Sequence, residues 1–349
     1  MLTLDTFLSR TQTNGLIVLK DGINECEWTD EGMTSDTRHI LMSATKSIVG
    51  LLCRVLADKQ LLDASLPLSH YVPEIAHTAY ANATARDLLD MQVEPHLDEV
   101  DLSRYSTAVN WNPVPPDATP LGLHDFFRTL PSRTSSNGGP FRYLSANTDL
   151  LGWVIERATD RSFADCLSSH LWAAMGAEKS AFVTLDCQGS PRTAGGLCAT
   201  LHDFAHVGQL LIDAQTHTRS IVPRTWIDDV MKNGDADAWA DGEFAQAFRR
   251  WKMRYHSGWY IIDAAPQILF ALGIHGQHLF VDIEHRMVIA KLSSHAVALD
   301  VSAIELTLRS VAEFRRIAIA DSRGRGVGID VSICIYLWRQ GRTWYPDVK

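Results

Sequence analysis

The sequence has no apolar run near the ~20 residues that a membrane-spanning helix needs, so we expect no membrane partner. Its first residues form neither the basic stretch nor the apolar stretch of a secretory signal peptide. Basic residues are also scarce, since 32 Lys and Arg stand against 41 Asp and Glu, for a formal net charge of -9. This balance excludes a general nucleic-acid binder, because a phosphate backbone attracts basic surfaces. We therefore predict a cytoplasmic protein without a nucleic-acid or membrane partner.

Closely spaced cysteines are absent too. The six cysteines are scattered without a Cys-x-x-Cys pair, which is typical of reduced thiols in a cytosolic protein: Cys26, Cys53, Cys166, Cys187, Cys198 and Cys334. Two histidine pairs, His202/His206 and His275/His278, have the spacing of metal ligands, but neither comes with a third ligand in the sequence. We predict that the protein uses neither a metal nor a cofactor.

The residues that are present favour a protein with a large core. Apolar residues make up 46% of the 349 residues and charged residues 21%. Apolar strands occur near both ends of the chain, and amphipathic helices lie between them, which predicts an α+β protein with an antiparallel sheet flanked by helices. We expect a discontinuous α/β domain formed by residues 1–65 and 180–318. Residues 66–179 would form an inserted, mainly helical lobe, and residues 319–349 a C-terminal tail of unassigned order.

Ser43 and Lys46 stand at the head of an apolar helical segment, residues 40–52. Residues three apart lie on one face of a helix, so the lysine amine can reach the serine hydroxyl. Apolar neighbours would desolvate the amine and lower its pKa, and a neutral amine can take the proton that keeps serine from acting as a nucleophile. The alternative is a plain helix start, in which Ser43 caps the helix and Lys46 lies in solvent.

Two further segments carry groups that could complete such a site. Tyr143 precedes a predicted helix and stands two residues before Ser145. A phenol near a lysine can have a lowered pKa and can carry a proton between nucleophile and leaving group, although tyrosine is more often a hydrogen-bonded core residue. The segment Gly273-Ile274-His275-Gly276-Gln277 opens a strand whose backbone N–H groups could form an oxyanion hole with the N–H of Ser43. We expect Gln277 to be the second donor.

Residues 92–120 combine several prolines and aspartates and predict an irregular loop. A loop of this length in a compact protein is often a lid or a substrate-binding wall, and an ordinary surface excursion is equally compatible. Tyr105 and Trp111 are the aromatic residues of this stretch that we expect in a cleft wall.

Together these segments resemble the serine β-lactamase-like hydrolases, which include penicillin-recognising enzymes, class C β-lactamases and family VIII esterases. The segments that carry the resemblance occur in the family's order, at residues 41–47, 143–149, 195–200, 273–277 and 291–294. Within the family the chain is most similar to the 6-aminohexanoate-dimer hydrolases. The resemblance covers about residues 10–318 and implies the β-lactamase/transpeptidase-like fold.

The resemblance also implies a reaction through an acyl-enzyme. Ser43 would attack a carbonyl, Lys46 would act as the base, and Tyr143 would pass the proton to the departing alcohol or amine. Ser145 would orient the lysine or the substrate. We therefore expect a small ester or amide as the substrate, and we allow a homodimer as the assembly.

His275 departs from the family pattern, because penicillin-recognising enzymes carry a lysine there in a Lys-Thr-Gly or similar motif. A histidine with an ordinary pKa near 6.5 is mostly neutral at pH 7 and would hold a β-lactam carboxylate less well. A structural role for this ring is equally compatible. The expected function is a serine hydrolase of carboxylic esters or short linear amides. Two alternatives stay open: a β-lactamase or DD-peptidase, and a non-catalytic binding protein on the same scaffold.

Overall fold

The computed structural model describes residues 3–114, 119–132, 137–216 and 220–322, of which Thr216 and residues 317–322 are described by their backbone only. The strands are β1 (Thr13–Lys20), β2 (Ile23–Thr29), β3 (His39–Ile40), β4 (Phe182–Val183), β5 (Leu197–Ala199), β6 (Met253–His256), β7 (Trp259–Ile262), β8 (Ile268–Gly273), β9 (Gln277–Asp282) and β10 (Met287–Ser293). The α-helices are α1 (Leu4–Arg10), α2 (Thr45–Asp58), α3 (Leu68–Tyr71), α4 (Ala85–Leu89), α5 (Glu99–Ala108), α6 (Leu123–Arg128), α7 (Ser145–Thr159), α8 (Phe163–Leu167), α9 (Leu201–Thr216), α10 (Arg224–Lys232), α11 (Ala236–Ala240) and α12 (Val301–Ser322). Short 3₁₀ turns cover Met42–Ala44, Pro73–Ile75 and Ile274–Gly276, and a π-helical turn covers Ser168–Trp172.

The strands from the two ends of the chain form one antiparallel sheet in the order β2-β1-β10-β9-β8-β7-β6. Strand β1 lies between β2 and β10, so the N-terminal hairpin extends the sheet that the C-terminal strands build. A smaller sheet has the order β3-β5-β4. The predicted α+β architecture, with an antiparallel sheet that joins both ends of the chain, is confirmed.

Each face of the large sheet packs against a buried core. Ile17 and Leu19 of β1 belong to a core shared with α2, α7 and α9. Leu16 and Val18 of the same strand belong to a second core shared with α1 and α12. Because successive side chains of a strand point to opposite faces, a strand buried on both faces is apolar at most of its positions. That is why these strands were predictable as continuous apolar runs.

Helix α2 packs unusually closely on the turn between β6 and β7. A Cβ atom on Gly50 would lie 2.2 Å from the carbonyl oxygen of Ser257, so only glycine fits at this position. The hydroxyl of Ser47 donates to the carbonyl oxygen of Gly258 over 2.6 Å. These contacts hold the first half of α2, and with it the serine-lysine segment, against the end of the sheet.

The prediction of an irregular loop over residues 92–120 is wrong for α5. Asp98 caps this helix by accepting from the N–H of Asp101, and the Asp101 carboxylate accepts from the N–H of Asp98 in return. The helix also buries Tyr105 and Ala108, and this packing stabilises the helix in addition to the reciprocal cap. The Asp-x-x-Asp spacing carried the signal that predicts a helix start.

The C-terminal boundary also differs from the expectation. Helix α12 continues to Ser322, so it includes the first residues of the segment that we expected to form a tail from 319. Residues 323–349 lie outside the described residues. The division into a domain of residues 1–65 plus 180–318 and a lobe of residues 66–179 stays a prediction. In the part of the chain that the structure describes, no helix is both long and apolar enough to cross a membrane.

Candidate active site

Ser43 lies in the 3₁₀ turn that directly precedes α2. The N–H of Leu41 donates to the carbonyl oxygen of Leu197 over 2.8 Å, which ties this turn to β5. Met42 has φ +48°, a left-handed conformation that non-glycine residues adopt rarely and that often occurs at functional sites. The turn presents Ser43, half-buried, to a cavity of about 200 Å³.

The amine of Lys46 joins three segments that are far apart in the sequence. Its Nζ donates to the Oγ of Ser43 over 2.9 Å, to the Oγ of Ser145 over 3.1 Å and to the carbonyl oxygen of Ala194 over 2.7 Å. The lysine is only 2% exposed, so solvent does not compete for these contacts. The structure thus brings together Ser43, Lys46 and Ser145 as the sequence predicts.

Burial sets the charge of Lys46. Desolvation lowers the pKa of the amine to about 7, Asp149 acts in the opposite direction, and Arg192 lowers the pKa further. At pH 7 about half of the molecules therefore carry a neutral amine at this position. A neutral amine 2.9 Å from a serine hydroxyl can accept the hydroxyl proton, which is the first requirement of a serine nucleophile.

Tyr143 lies beside this pair, with its ring centroid 4.9 Å from the Nζ of Lys46. Desolvation raises the pKa of its phenol, and the opposing influence of Ser43 and Tyr260 does not overcome that increase. The expectation of a lowered pKa is therefore wrong. The physical reason is the aromatic surroundings, since the ring packs against Phe141 and Phe244. The phenol keeps its proton near neutral pH and can act as a proton donor.

The expected aromatic residues of the cleft wall do line the cavity, but from a helix and its end rather than from a loop. Tyr105 and Trp111 both contribute to the lining, on the side formed by α5 and the residues that follow it. Tyr105 is buried and its hydroxyl donates to Asp149 over 2.5 Å, whereas Trp111 is 51% exposed. Tyr105 therefore combines a structural contact with its place in the wall.

The segment of residues 273–277 is close to Ser43, but Ile274 is its member that lines the cavity. The ring of His275 instead donates through Nδ1 to the carbonyl oxygen of His295 over 2.6 Å. Gln277 is fully buried: its amide donates to the carbonyl oxygen of Ser293 and its Oε1 accepts from the N–H of the same residue. The structure thus brings Ile274, rather than His275 or Gln277, next to the nucleophile.

Gly276 supports this arrangement through its lack of a side chain. It has φ +92°, and a Cβ atom there would lie 2.6 Å from the Nε2 of His295. Glycine is therefore required for the turn that carries Ile274 past Ser43. Gly276 has a structural position in the site and does not line the cavity.

Asp149 is a residue of the site that sequence reasoning missed. It is buried on α7, where its carboxylate accepts from the hydroxyl of Tyr105 and, over 2.7 Å, from the N–H of Ala194. Because the carbonyl oxygen of Ala194 accepts from Lys46, the carboxylate positions the peptide segment that holds the amine. The sequence signal was only a polar residue in the first turn of a predicted helix, which is common at helix starts.

The two histidine pairs have other partners. His202 lies 2.9 Å from a carboxylate oxygen of Glu27, and His278 lies 3.1 Å from the carbonyl oxygen of Gly276. Within the described ranges, no three His, Cys, Asp or Glu side chains lie close enough together to hold a metal ion.

The sequence of the chain matches a known family over the whole of this site. A model of the beta-lactamase family matches residues 16–312, a range that includes every site residue described above. The chain belongs to the beta-lactamase family. This match confirms the family resemblance that the sequence segments indicated. The predicted β-lactamase/transpeptidase-like fold is confirmed as well.

The similar proteins include two named as 6-aminohexanoate-dimer hydrolases and one named as a carboxylesterase. The chain is 32% identical over 298 residues to a 6-aminohexanoate-dimer hydrolase of Paenarthrobacter ureafaciens, covering 83% of this chain and 75% of the relative. A Bacillus anthracis structure assigned as a 6-aminohexanoate-dimer hydrolase matches with a TM-score of 0.76 at 25% identity, over 90% of this chain and 82% of that chain. A family VIII carboxylesterase shares the fold, with a TM-score of 0.62 at 16% identity over 87% of this chain and 95% of that chain.

Proposed function

We propose that this beta-lactamase-family chain is a serine hydrolase that cleaves carboxylic esters or short linear amides through an acyl-enzyme on Ser43. The observation that carries the proposal is the 2.9 Å contact between the Nζ of Lys46 and the Oγ of Ser43 at the edge of an open cavity. A buried amine with a lowered pKa beside a half-buried hydroxyl has the chemistry of a base and a nucleophile. Similarity to a 6-aminohexanoate-dimer hydrolase supports the same reaction class.

The acylation half of the reaction uses groups that already lie in contact. Lys46 takes the proton of Ser43 as the bond forms between Oγ and the substrate carbonyl carbon. The backbone N–H groups of Ser43 and Ile274 are our candidates for stabilising the oxyanion, in place of the Gln277 donor expected from sequence. Tyr143 then donates a proton to the leaving alcohol or amine as the bond between the carbonyl carbon and this leaving group breaks, and the protonated amine of Lys46 returns a proton to the phenol.

Deacylation reverses these roles with water as the nucleophile. Water attacks the acyl carbon while its proton passes to the Lys46–Tyr143 pair, and the Ser43 oxygen regains a proton as the ester bond breaks. Ser145 donates no proton in this scheme. Its Oγ, 3.1 Å from Nζ, orients the amine.

A covalent probe tests the role of Ser43 directly. Wild-type protein should hydrolyse p-nitrophenyl butyrate and gain one adduct mass from a fluorophosphonate, and Ser43→Ala should do neither. Ser9→Ala is a matched control, because Ser9 is an exposed residue of α1 that does not line the cavity. Equal labelling and equal turnover of wild type and Ser43→Ala would overturn the proposed function.

A β-lactamase or DD-peptidase activity is the alternative within the family. The contact of the His275 ring with His295 disfavours it, because that ring does not line the cavity beside Ser43. A panel of p-nitrophenyl esters, the 6-aminohexanoate linear dimer and nitrocefin separates the two activities. Rapid nitrocefin hydrolysis together with slow ester and amide cleavage would favour the alternative.

Assembly and location also belong to the proposal. We expect a cytoplasmic protein that binds a small ester or amide and needs no cofactor, and we allow a homodimer as its assembly. Sedimentation velocity measures the assembly state, and ester hydrolysis before and after treatment with a chelator tests the absence of a metal requirement.

A further inference from the structure

Arg192 brings a permanent positive charge to the wall of the cavity beside Ser43. Its backbone is fixed on the segment between β4 and β5, where its N–H donates to Thr184 over 2.9 Å and its carbonyl oxygen accepts from Gly196 over 2.7 Å. This segment continues directly into Ala194, the residue that holds Lys46. The position of the guanidinium relative to the nucleophile is thus set by the same backbone that positions the base.

One donor of the guanidinium lacks a hydrogen-bond partner among the described residues. Its Nε is buried from solvent and lacks a hydrogen-bond acceptor. Buried polar groups are nearly always hydrogen bonded, and a buried donor on a charged group is the more costly to leave unpaired. Because Nε itself is closed to solvent, a ligand would have to bind the terminal N–H groups of this side chain, which lines the open cavity.

The rest of the cavity lining is neutral. Besides Arg192, the lining residues are apolar, small or carry hydroxyl groups. Asp149 is a carboxylate on which this charge acts, but its oxygens are already engaged by Tyr105 and by the N–H of Ala194. Lys46 is buried, contacts Ser43, Ser145 and Ala194, and does not line the cavity. The wall formed by Arg192 is therefore the electropositive part of the cavity.

We propose that Arg192 binds a carboxylate of the substrate, so that the preferred substrates are esters or short amides with an anionic group close to the scissile carbonyl. This inference rests on the proposed hydrolase function and adds the substrate class. A guanidinium presents its N–H donors in a planar fork that matches a carboxylate. A carboxylate site on Arg192 would also allow the cavity to select an anion although the ring of His275 does not line the cavity.

A purely electrostatic role for Arg192 is the competing explanation. Its charge lowers the pKa of Lys46 and stabilises the ionised form of Asp149. Substitution of Arg192 would then change the turnover of every substrate by the same factor. The ratio of kcat/KM for an anionic substrate to that for its neutral methyl ester separates the two explanations, because effects on Lys46 cancel in the ratio.

The test compares two matched pairs of substrates on wild type, Arg192→Gln, Arg192→Lys and the control Arg10→Gln, which removes an exposed arginine of α1. Mono-p-nitrophenyl adipate and its methyl ester place the carboxylate on the acyl side. 4-Butanoyloxybenzoate and its methyl ester place it on the leaving group. In at least one pair, wild type and Arg10→Gln should prefer the anion, and Arg192→Gln should lower the anion-to-neutral ratio about 10- to 100-fold, the scale of a hydrogen bond to a charged group. Arg192→Lys should retain part of the preference.

A wild-type ratio retained in Arg192→Gln for both pairs would overturn the inference. A binding measurement distinguishes failure of the carboxylate-site inference from failure of the proposed hydrolase function. Calorimetric titration of adipate into Ser43→Ala protein and into the Ser43→Ala/Arg192→Gln double variant needs no turnover. Loss of adipate binding in the double variant supports the anion site even if neither pair is hydrolysed, and equal affinities contradict it.

Discussion

Replacing Lys46 with arginine should abolish turnover even though the positive charge and the hydrogen-bond donors are kept. Lys46 is 2% exposed and its Nζ contacts the Oγ of Ser43, so its catalytic value depends on being neutral. Arginine stays protonated at any accessible pH and cannot accept the serine proton. Lys46→Ala removes the base altogether, and we expect each variant to lower kcat at least ~100-fold, the usual scale for loss of a general base.

The magnitude follows from the desolvation of the amine. Lowering the pKa from the ordinary 10.5 to about 7 raises the neutral fraction at pH 7 from about 3 in 10,000 to about one half, a gain of about 1,600-fold. In free energy this preference for the neutral form is about 5 kcal/mol. The rate kcat/KM should therefore rise with pH through an apparent pKa of about 7 and reach a plateau above pH 8.

The assay is the pH profile of kcat/KM for p-nitrophenyl butyrate between pH 5 and 10, with the uncatalysed rate subtracted. Arg192→Gln should move the acidic limb to higher pH, because the nearby guanidinium disfavours the ammonium form of Lys46. A profile that is flat from pH 5 to 9, or a midpoint near 10, would refute the assignment of Lys46 as a desolvated base. So would a Lys46→Ala variant with near-normal kcat.

Three further variants test the other physical arguments. Tyr143→Phe should slow cleavage of an alkyl ester much more than that of a p-nitrophenyl ester, because the raised pKa keeps the phenol protonated as a donor and p-nitrophenolate leaves without help; equal losses would contradict this role. Gly50→Ala should lower the free energy of unfolding, measured in urea, by ~1–3 kcal/mol, because its Cβ would lie 2.2 Å from the carbonyl oxygen of Ser257. In the control Gly32→Ala the nearest atom to the new Cβ lies at 3.5 Å, and equal stabilities of the two variants would exclude the clash. Burial lowers the pKa of Lys291 to about 7, so between pH 7 and 10.5 the unfolded chain binds a proton that the folded chain has released, and stability rises with pH in that window. Lys291→Met should reduce the rise in unfolding free energy between pH 7 and 9 by about 2 kcal/mol, and parallel curves for the variant and wild type would disprove the shift.

The strands were the most predictable part of the fold, for a physical reason. Strand β1 and the strands from β7 to β10 are mainly apolar runs bounded by turn residues, and they are buried on both faces. Helix α5 was missed because its residues 99–108 have little apolar content, and its stability comes from a reciprocal Asp98–Asp101 cap and from two buried residues. Such a helix depends on contacts that a propensity pattern does not contain.

The site divides in the same way between local and distant contributions. The spacing of Ser43 and Lys46 places them one helical turn apart, and the predicted contact forms. The identity of the cavity-lining residue in the segment 273–277 could not be predicted, because it depends on which side chain the Gly276 turn directs toward Ser43. Asp149 had no catalytic signal in the sequence, since its role arises from its contact with Ala194, 45 residues away.

What the sequence alone predicted was the contact between Ser43 and Lys46 and the sheet that joins both chain ends. These features follow from periodicity and spacing, which are local properties of the chain. Only the tertiary structure decided the charge of Lys46, the protonation of Tyr143 and the placement of Arg192 in the cavity wall. Each of these depends on desolvation and on charges from distant segments, and electrostatic interactions follow distance in space rather than distance along the chain.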